Sequence, residues 1–427
     1  MRIFPAALTL FAASAAHAEN RIDIVRPDAP ELAAFDTHKI GVTTLSFSNP
    51  DQIDVVKSGA TGEVSTYDRS LTVEIWYPAT DDTTAGGTYT TLLRDGVTEA
   101  TLTGQAARDA TPDTSQSYPL VIISHGYPGN RHLMSPLGEN LASKGYVVAS
   151  IDHRDSTYDD QTTFGSTLVN RPWDQRFVID SVTGLDGDLG QIIQADNVAI
   201  IGYSMGGYGA LIHAGAGVTQ ASTEYEWGAP LGLLERNLMG SDSHAALEND
   251  AIKAFVAFGP WGNNRGFWDA DGLAGIDKPL MLIAGGIDDV SEYDAIRGIF
   301  DGTVNTTRHL LTFEAANHNA GAPMPAPAES YAFSEPLGYA PFDHYADAVW
   351  DSVRMNNISQ HFITAYLDLH LKGDSDMAAY FDLVPVAQDS VWSVDDAGNP
   401  TEDHSYWAGF PNRTAAGLRF ETKATGE

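Results

Sequence analysis

The chain has 427 residues, 43% of them hydrophobic and 19% charged; that is enough apolar mass for a sizeable core and too little charge for a disordered polyelectrolyte. Its 24 Lys and Arg stand against 57 Asp and Glu, a formal charge of −33, and such a field repels nucleic acid and anionic membranes while favouring solubility where salt screens it. There is no cysteine, so disulfides, thiol nucleophiles, thiolate zinc sites and iron–sulfur clusters are excluded.

Residues 1–18 read as a secretion signal: Arg2 supplies the positive start, Ile3 to Ala13 a short apolar run, and Ala16-His17-Ala18 a small-x-small cleavage site. The run is too short to span a bilayer, and no later stretch is long enough, so no integral membrane contact is expected. The expected mature chain begins at Glu19 and is periplasmic or extracellular. Residues 19–68 read as a leader of mixed character. Leu71 to Tyr77 alternates and is β-rich, a strand expected to end at Pro78; Asp81 to Gly87 is a turn cluster; residues 101–118, polar and small, read as a surface loop.

From there an α/β rhythm begins. Leu120 to Ser124 is a continuous apolar run, as in a strand covered on both faces. Leu137 to Ser143 reads as a helix stopped by Gly145, and Tyr146 to Ile151 as the next strand. Val198 to Tyr203 is a strand leading into Ser204, and Met205 to Ala214 a helix of small residues. Ala254 to Phe258, Leu280 to Ala284 and Leu310 to Phe313 supply three more strands, and Val353 to Leu371 a long closing helix. The alternation predicts a mostly parallel sheet with helices on both faces. One catalytic domain over 19–427 is expected, with its core at about 70–372. Residues 218–249 and 319–343 are candidate lids or pocket walls, and the extension 374–427 is expected to fold back through its aromatic residues.

The chemistry centres on Gly202-Tyr203-Ser204-Met205-Gly206 between a buried strand and a helix. A serine on so tight a turn has a strained backbone and a lifted hydroxyl, and the glycines on either side remove side chains that would clash. The Met205 amide, next to the nucleophile and at a helix N-terminus, is one oxyanion donor. The other is expected from the loop His125-Gly126-Tyr127-Pro128-Gly129, where the Tyr127 amide is the best candidate, since Pro128 has no N–H. The Tyr127 ring is expected to wall the substrate pocket and His125 to hold the loop. The acid should come after a later strand: in Leu280 to Asp289, Asp288 lies three residues after Gly285 and suits a short returning turn, with Asp289 the competing choice. The base should come after the last strand, and His318 is the histidine so placed. The order Ser204, Asp288, His318 is that of an α/β-hydrolase, and its chemistry needs no metal or organic cofactor.

The segment Ile123 to Ser150, with Ser-His-Gly-Tyr-Pro-Gly and then Leu-Gly-Glu-Asn-Leu-Ala-Ser-Lys-Gly-Tyr-Val-Val, resembles bacterial cutinases and polyester hydrolases, as do Ser204-Met205-Gly206-Gly207, Pro260-Trp261 and the Asp288 turn. Leu71 to Pro78 and Arg171-Pro172-Trp173-Asp174 are more similar to dienelactone-hydrolase-like and platelet-activating-factor-acetylhydrolase-like bacterial proteins. This resemblance implies an α/β-hydrolase fold and hydrolysis of small or lipid-like carboxylic esters, with short acyl groups preferred in the acetylhydrolase branch. By similarity to cutinases, Trp261 would line the acyl or aromatic subsite. The chain departs from the pattern at Tyr203, where His is frequent, and in its long segments after Ala214 and His318, which favour a soluble ester over a polymer. A cutinase-like polyester hydrolase, a lipase working at oil interfaces, a prolyl-oligopeptidase-type peptidase and a non-catalytic binding protein on the same scaffold are the competing readings. Oligomeric state is not legible from these residues.

Overall fold

The computed structural model describes residues 19–427, and the expected secretion signal lies outside them. Among the described residues the strands are β1 Asn20–Arg21, β2 Lys39–Ile53, β3 Thr66–Ala79, β4 Gly87–Leu92, β5 Glu99–Gly104, β6 Ala107–Arg108, β7 Tyr118–Ser124, β8 Val147–Asp152, β9 Ile193–Tyr203, β10 Ile252–Phe258, β11 Leu280–Gly285, β12 Arg308–Phe313 and β13 Leu418–Lys423. The α-helices are α1 Val55–Thr61, α2 Ser135–Ser143, α3 Phe164–Thr183, α4 Gly187–Gln191, α5 Met205–His213, α6 Asp242–Ala245, α7 Ala270–Ala274, α8 Tyr293–Gly302 and α9 Ser352–Leu371.

Ten strands form one sheet in the order β13-β12-β11-β10-β9-β7-β8-β3-β2-β6. The six from β12 to β8 are mutually parallel, and β13 and β3 close the two sides of this block antiparallel. The apolar runs behave as strands buried on both faces. In β7, Val121 and Ile123 join the core beneath α2 and α9, while Leu120 and Ile122 join the core beneath α3, α5 and α8. The chain leaves β7 for β8 on one side and then returns to lay β9 on the other. At such a reversal the loops after the two strands diverge and leave a crevice at their carboxyl ends; here those loops begin at His125 and Ser204.

Two expectations need correction. The leader, of mixed character in sequence, carries a long strand: β2 pairs antiparallel with β3 from Lys39–Ala79 to Ile53–Thr66. Its polar face leaves alternate residues exposed, which weakens the apolar signal. Residues 101–118 are not a single loop, because β5 pairs with β4 and with β1 in a second, three-stranded sheet. Nor does Pro78 end its strand. Beyond Trp76 the neighbour β8 no longer pairs with β3, so the missing proline N–H breaks no bond on that side. The C-terminal extension ends as β13 against β12, with Trp407 and Phe410 buried and Phe420 stacked on Phe362 at 5.0 Å. No helix among the described residues is long and apolar enough to cross a membrane.

Burial holds several histidines neutral. His125 and His132 are pushed well below the usual imidazole range, first by desolvation and then by neighbouring arginines. Desolvation is also the leading cause at His153, His213, His309 and His361, each lowered to about 3. In the unfolded chain these groups bind protons near pH 6.5 and in the folded chain they do not, so stability is complete above about pH 6.5 and declines as pH falls toward the folded values. Two such histidines alone would remove about 3 kcal/mol per pH unit below that point. Urea unfolding should therefore show a midpoint that drops steeply between pH 7 and pH 5; equal midpoints at the two values would mean that these rings are protonated or paired when folded.

Candidate active site

β9 passes into α5 through a single residue, Ser204, with φ 53° and ψ −112°, a left-handed conformation costly for a residue with a side chain. The flanking glycines are steric necessities. A Cβ on Gly202 would lie 2.2 Å from the Gly206 carbonyl oxygen, and one on Gly206 would lie 1.9 Å from that of Ser124. The backbone is pinned on both sides, since the Ser204 amide donates to Phe258 O at 2.8 Å and its carbonyl accepts from the amide of Tyr208 at 2.9 Å.

At the end of β11 the chain turns so that Asp288 is buried and Asp289 exposed. Asp288 Oδ2 accepts from His318 Nδ1 at 2.8 Å, and Oδ1 accepts from the amides of Val290 and Ser291 at 2.9 and 2.8 Å. Burial by itself would raise this carboxyl, but His318 and the two amides outweigh it and hold the pKa below the ordinary value. With the proton on Nδ1, His318 keeps Nε2 as its free ring nitrogen, and it lines one cavity with Ser204. Asp289 lines the same cavity and has no hydrogen bond to His318. Gly259, at φ +44°, lets the chain pass beneath the pair, where a Cβ would approach Asp288 and His318 to 3.1 Å.

Tyr203 takes a place that spacing arguments do not reveal. Its ring lies 5.2 Å from that of His318, tilted by 35°, and its hydroxyl donates to Asn319 Oδ1 at 3.1 Å. Asn319 in turn donates to the carbonyls of Asp343 and Ala346. The residue before Ser204 thus fixes both the imidazole and the loop that carries it.

The loop after β7 is held by its own histidine. His125 Nδ1 donates to the Gly126 carbonyl at 2.7 Å, and Nε2 accepts the His153 amide at 3.2 Å. In a trans peptide the C=O and N–H point in opposite directions, so fixing Gly126 O turns the Tyr127 N–H away from the His125 ring. The amides of Tyr127 and Met205 donate to no backbone acceptor among the described residues, and both residues border the space around Ser204.

Behind the loop lies a buried polar chain. The Ser124 hydroxyl meets His153 Nε2 at 2.8 Å, and His153 Nδ1 meets Asp174 Oδ2 at 2.9 Å. Ser124, His153 and Asp174 are 0%, 0% and 1% exposed, so this second Ser-His-Asp chain is closed to any substrate. Arg69 grips Asp174 through two bonds of 2.7 and 2.9 Å. Burial opposes the Asp174 charge, yet Arg69 and His153 hold its pKa down to about 2. From the same helix α3, Arg171 donates to His125 O, and Gln175 donates to Gly206 O at 3.1 Å. One helix therefore braces both the loop after β7 and the turn at Ser204.

Two cavities meet at Ser204. One, of about 380 Å³, is walled mainly by apolar groups, Phe164, Met205, Trp227, Trp261 and Val290, with Arg265 among them. Trp261 is 8% exposed and packs edge-on to Phe164 at 5.2 Å; Trp227, from the segment 218–249, is 62% exposed. The other, of about 400 Å³, contains His318 and has mixed walls, with Arg94, Asp289, Asn319, Tyr339 and Asp343 among them. Tyr127 borders both. No group of three or more His, Asp or Glu among the described residues is placed to hold a metal ion.

The sheet, the turn at Ser204 and the crevice at the β7–β9 reversal define an α/β-hydrolase fold. A ferulic acid esterase from Streptomyces cinnamoneus superposes with a TM-score of 0.55 at 20% identity, over 83% of this chain and 94% of that one. The family model for platelet-activating factor acetylhydrolase, isoform II, matches residues 68–171, which span β3 to the Arg171 turn of α3 and stop short of Ser204. The bovine platelet-activating factor acetylhydrolase is 37% identical over 82 residues, 18% of each chain. Cutinase est1 of Thermobifida alba is 24% identical over 211 residues, 49% of this chain and 56% of that protein; cutinase est2 of the same organism is 33% identical over 188 residues, 44% and 46%. The chain thus spans less than a fifth of the acetylhydrolase and about half of the cutinases. It resembles both groups of serine esterase.

The Arg69–Asp174 pair gives a direct test of this framework. Arg69 also pairs with Asp155 at 2.9 Å, so Asp174→Ala leaves its charge partly compensated while stripping two hydrogen bonds from the buried guanidinium. That variant should lower unfolding stability in urea at pH 8 by about 1–3 kcal/mol; an unchanged stability would show that Asp155 alone suffices to hold Arg69.

Proposed function

We propose that the chain is a carboxylic ester hydrolase working through a covalent acyl-enzyme on Ser204. The observation that carries this reading is the strained Ser204 facing the cavity that holds His318, whose other ring nitrogen is bonded to buried Asp288. His318 Nε2 takes the Ser204 proton as Oγ attacks the ester carbonyl. The amides of Tyr127 and Met205 receive the oxyanion, and His125 acts as a positioning residue by holding the first of them. Asp288, ionised by its amide and imidazole contacts, stabilises the imidazolium. His318 then protonates the leaving alcohol, and water repeats the cycle to release the acid. Trp261 forms a wall of the acyl subsite. Secretion, supported by the composition of residues 1–18, places this chemistry outside the cytoplasm. The preference for short acyl groups stays part of the proposal, and a soluble ester is favoured over a polymer because Trp227 and Tyr339 wall the approach to Ser204.

A fluorophosphonate probe should label the mature chain and fail on Ser204→Ala, and the variant should lose hydrolysis across a p-nitrophenyl ester series from acetate to palmitate. Asp288→Asn should lower kcat by about 10⁴-fold, as expected when the imidazole is left in the wrong tautomer. Asp289→Asn should cost less than about tenfold. Equal rates for Ser204→Ala and the parent would overturn the assignment and favour a binding protein.

A further inference from the structure

A second imidazole shares the cavity of Ser204 and His318. His344, at the end of a short turn that follows the His318 loop, lines it as well. One of its ring nitrogens is anchored: Nε2 meets the Tyr158 hydroxyl at 2.9 Å, and Tyr158, from the loop after β8, is 3% exposed. A phenol O–H is more acidic than the N–H of a neutral imidazole, and the bare ring nitrogen is the more basic acceptor. Tyr158 therefore donates, and the imidazole proton sits on Nδ1. Nδ1 has no hydrogen-bond partner among the described residues and is not one of the polar atoms closed off from solvent, so it opens onto the cavity. Burial, then Arg94 and His318, push His344 down to about 3; it stays neutral and does not compete with His318 for a proton.

On the reading that Ser204 carries the acyl group, we propose that His344 binds the water that hydrolyses the acyl-enzyme. A free water needs more placing than a leaving alcohol. The alcohol oxygen is held by its bond to the carbonyl until it departs, whereas the water must meet the carbonyl and His318 Nε2 at once. Its oxygen accepts from His344 Nδ1–H with one lone pair and attacks with the other, while one O–H donates to His318 Nε2. The bond from water oxygen to the carbonyl carbon forms as that proton passes to Nε2. The bond from the same carbon to Ser204 Oγ then breaks as Nε2 returns the proton to Oγ, and the acid leaves.

The neighbouring amides are already committed. Asn319 is spent on the Tyr203 hydroxyl and on the carbonyls of Asp343 and Ala346. Asn317 is spent on the Asn319 amide and the Ala346 carbonyl. Asp289, Tyr339 and Asp343 are exposed, and no bond like that from Tyr158 fixes their side chains. His344 is thus a donor whose direction is set before the water arrives, which is what lowers the entropic cost of holding it.

p-Nitrophenol leaves without needing a proton, so p-nitrophenyl acetate separates the two steps: kcat/KM follows acylation, and kcat follows deacylation once that step is the slower. His344→Leu should lower kcat and KM together by about tenfold, as for one lost hydrogen bond, and should show a p-nitrophenol burst. Its kcat/KM and its rate of labelling by the fluorophosphonate probe should stay within about twofold of the parent. His344→Asn, whose amide N–H can stand where Nδ1 does, should recover most of kcat, and Tyr158→Phe, which frees the ring, should show the same split in smaller measure. A kcat/KM that falls as far as kcat, an unchanged kcat, or equal losses in the Leu and Asn variants would overturn the assignment. Labelling of Ser204 in the parent keeps such a failure apart from a failure of the esterase reading, in which the parent neither labels nor hydrolyses.

Discussion

Between the last residue of β9 and the first of α5 the chain changes direction at Ser204, and the surrounding structure answers to that turn. Gly202 and Gly206 exist to let it close, and the carbonyl that Gly206 approaches belongs to Ser124, at the end of β7. The turn and the loop after β7 therefore press on one another. Whatever holds one holds the other, and α3 holds both, through Gln175 at Gly206 and through Arg171 at His125. The strain at Ser204 persists because neighbours from three separate stretches of chain over-determine it.

Features whose causes are local are legible in the sequence. The buried parallel strands show as continuous apolar runs, and a glycine-serine-glycine turn between strand and helix needs only five residues to be recognised. Turn spacing prefers Asp288 over Asp289, and the hydrogen bond to His318 falls on Asp288. Chain order places His318 after β12, where it lines the same cavity as Ser204.

Features set by distant partners are not legible. Arg69 and Asp174 lie 105 positions apart, and nothing near either residue announces the other. Helix α3 contains Pro172, a residue that argues against a helix interior, although it brings Arg171, Asp174 and Gln175 to the back of the site. Tyr203 reads as a departure from a familiar pattern, and its use emerges only when Asn319, 116 residues away, is seen to accept its hydroxyl. The strand β2 is masked because half of it faces solvent, and residues 101–118 because short, polar strands look like loops.

On the proposed mechanism, the two cavities at Ser204 would also govern the fate of the acyl-enzyme. With the acyl group on the side of Trp261, the route to its carbonyl past His318 would be the cavity that His318 lines. Water and a second alcohol would then compete for one doorway. An alcohol bound there would meet the same imidazole that activates water, and the reaction would partition between releasing the acid and handing the acyl group to a new acceptor. The outcome would be set by the relative occupancy of that cavity, so that at high concentrations of a well-bound alcohol hydrolysis would give way to acyl transfer.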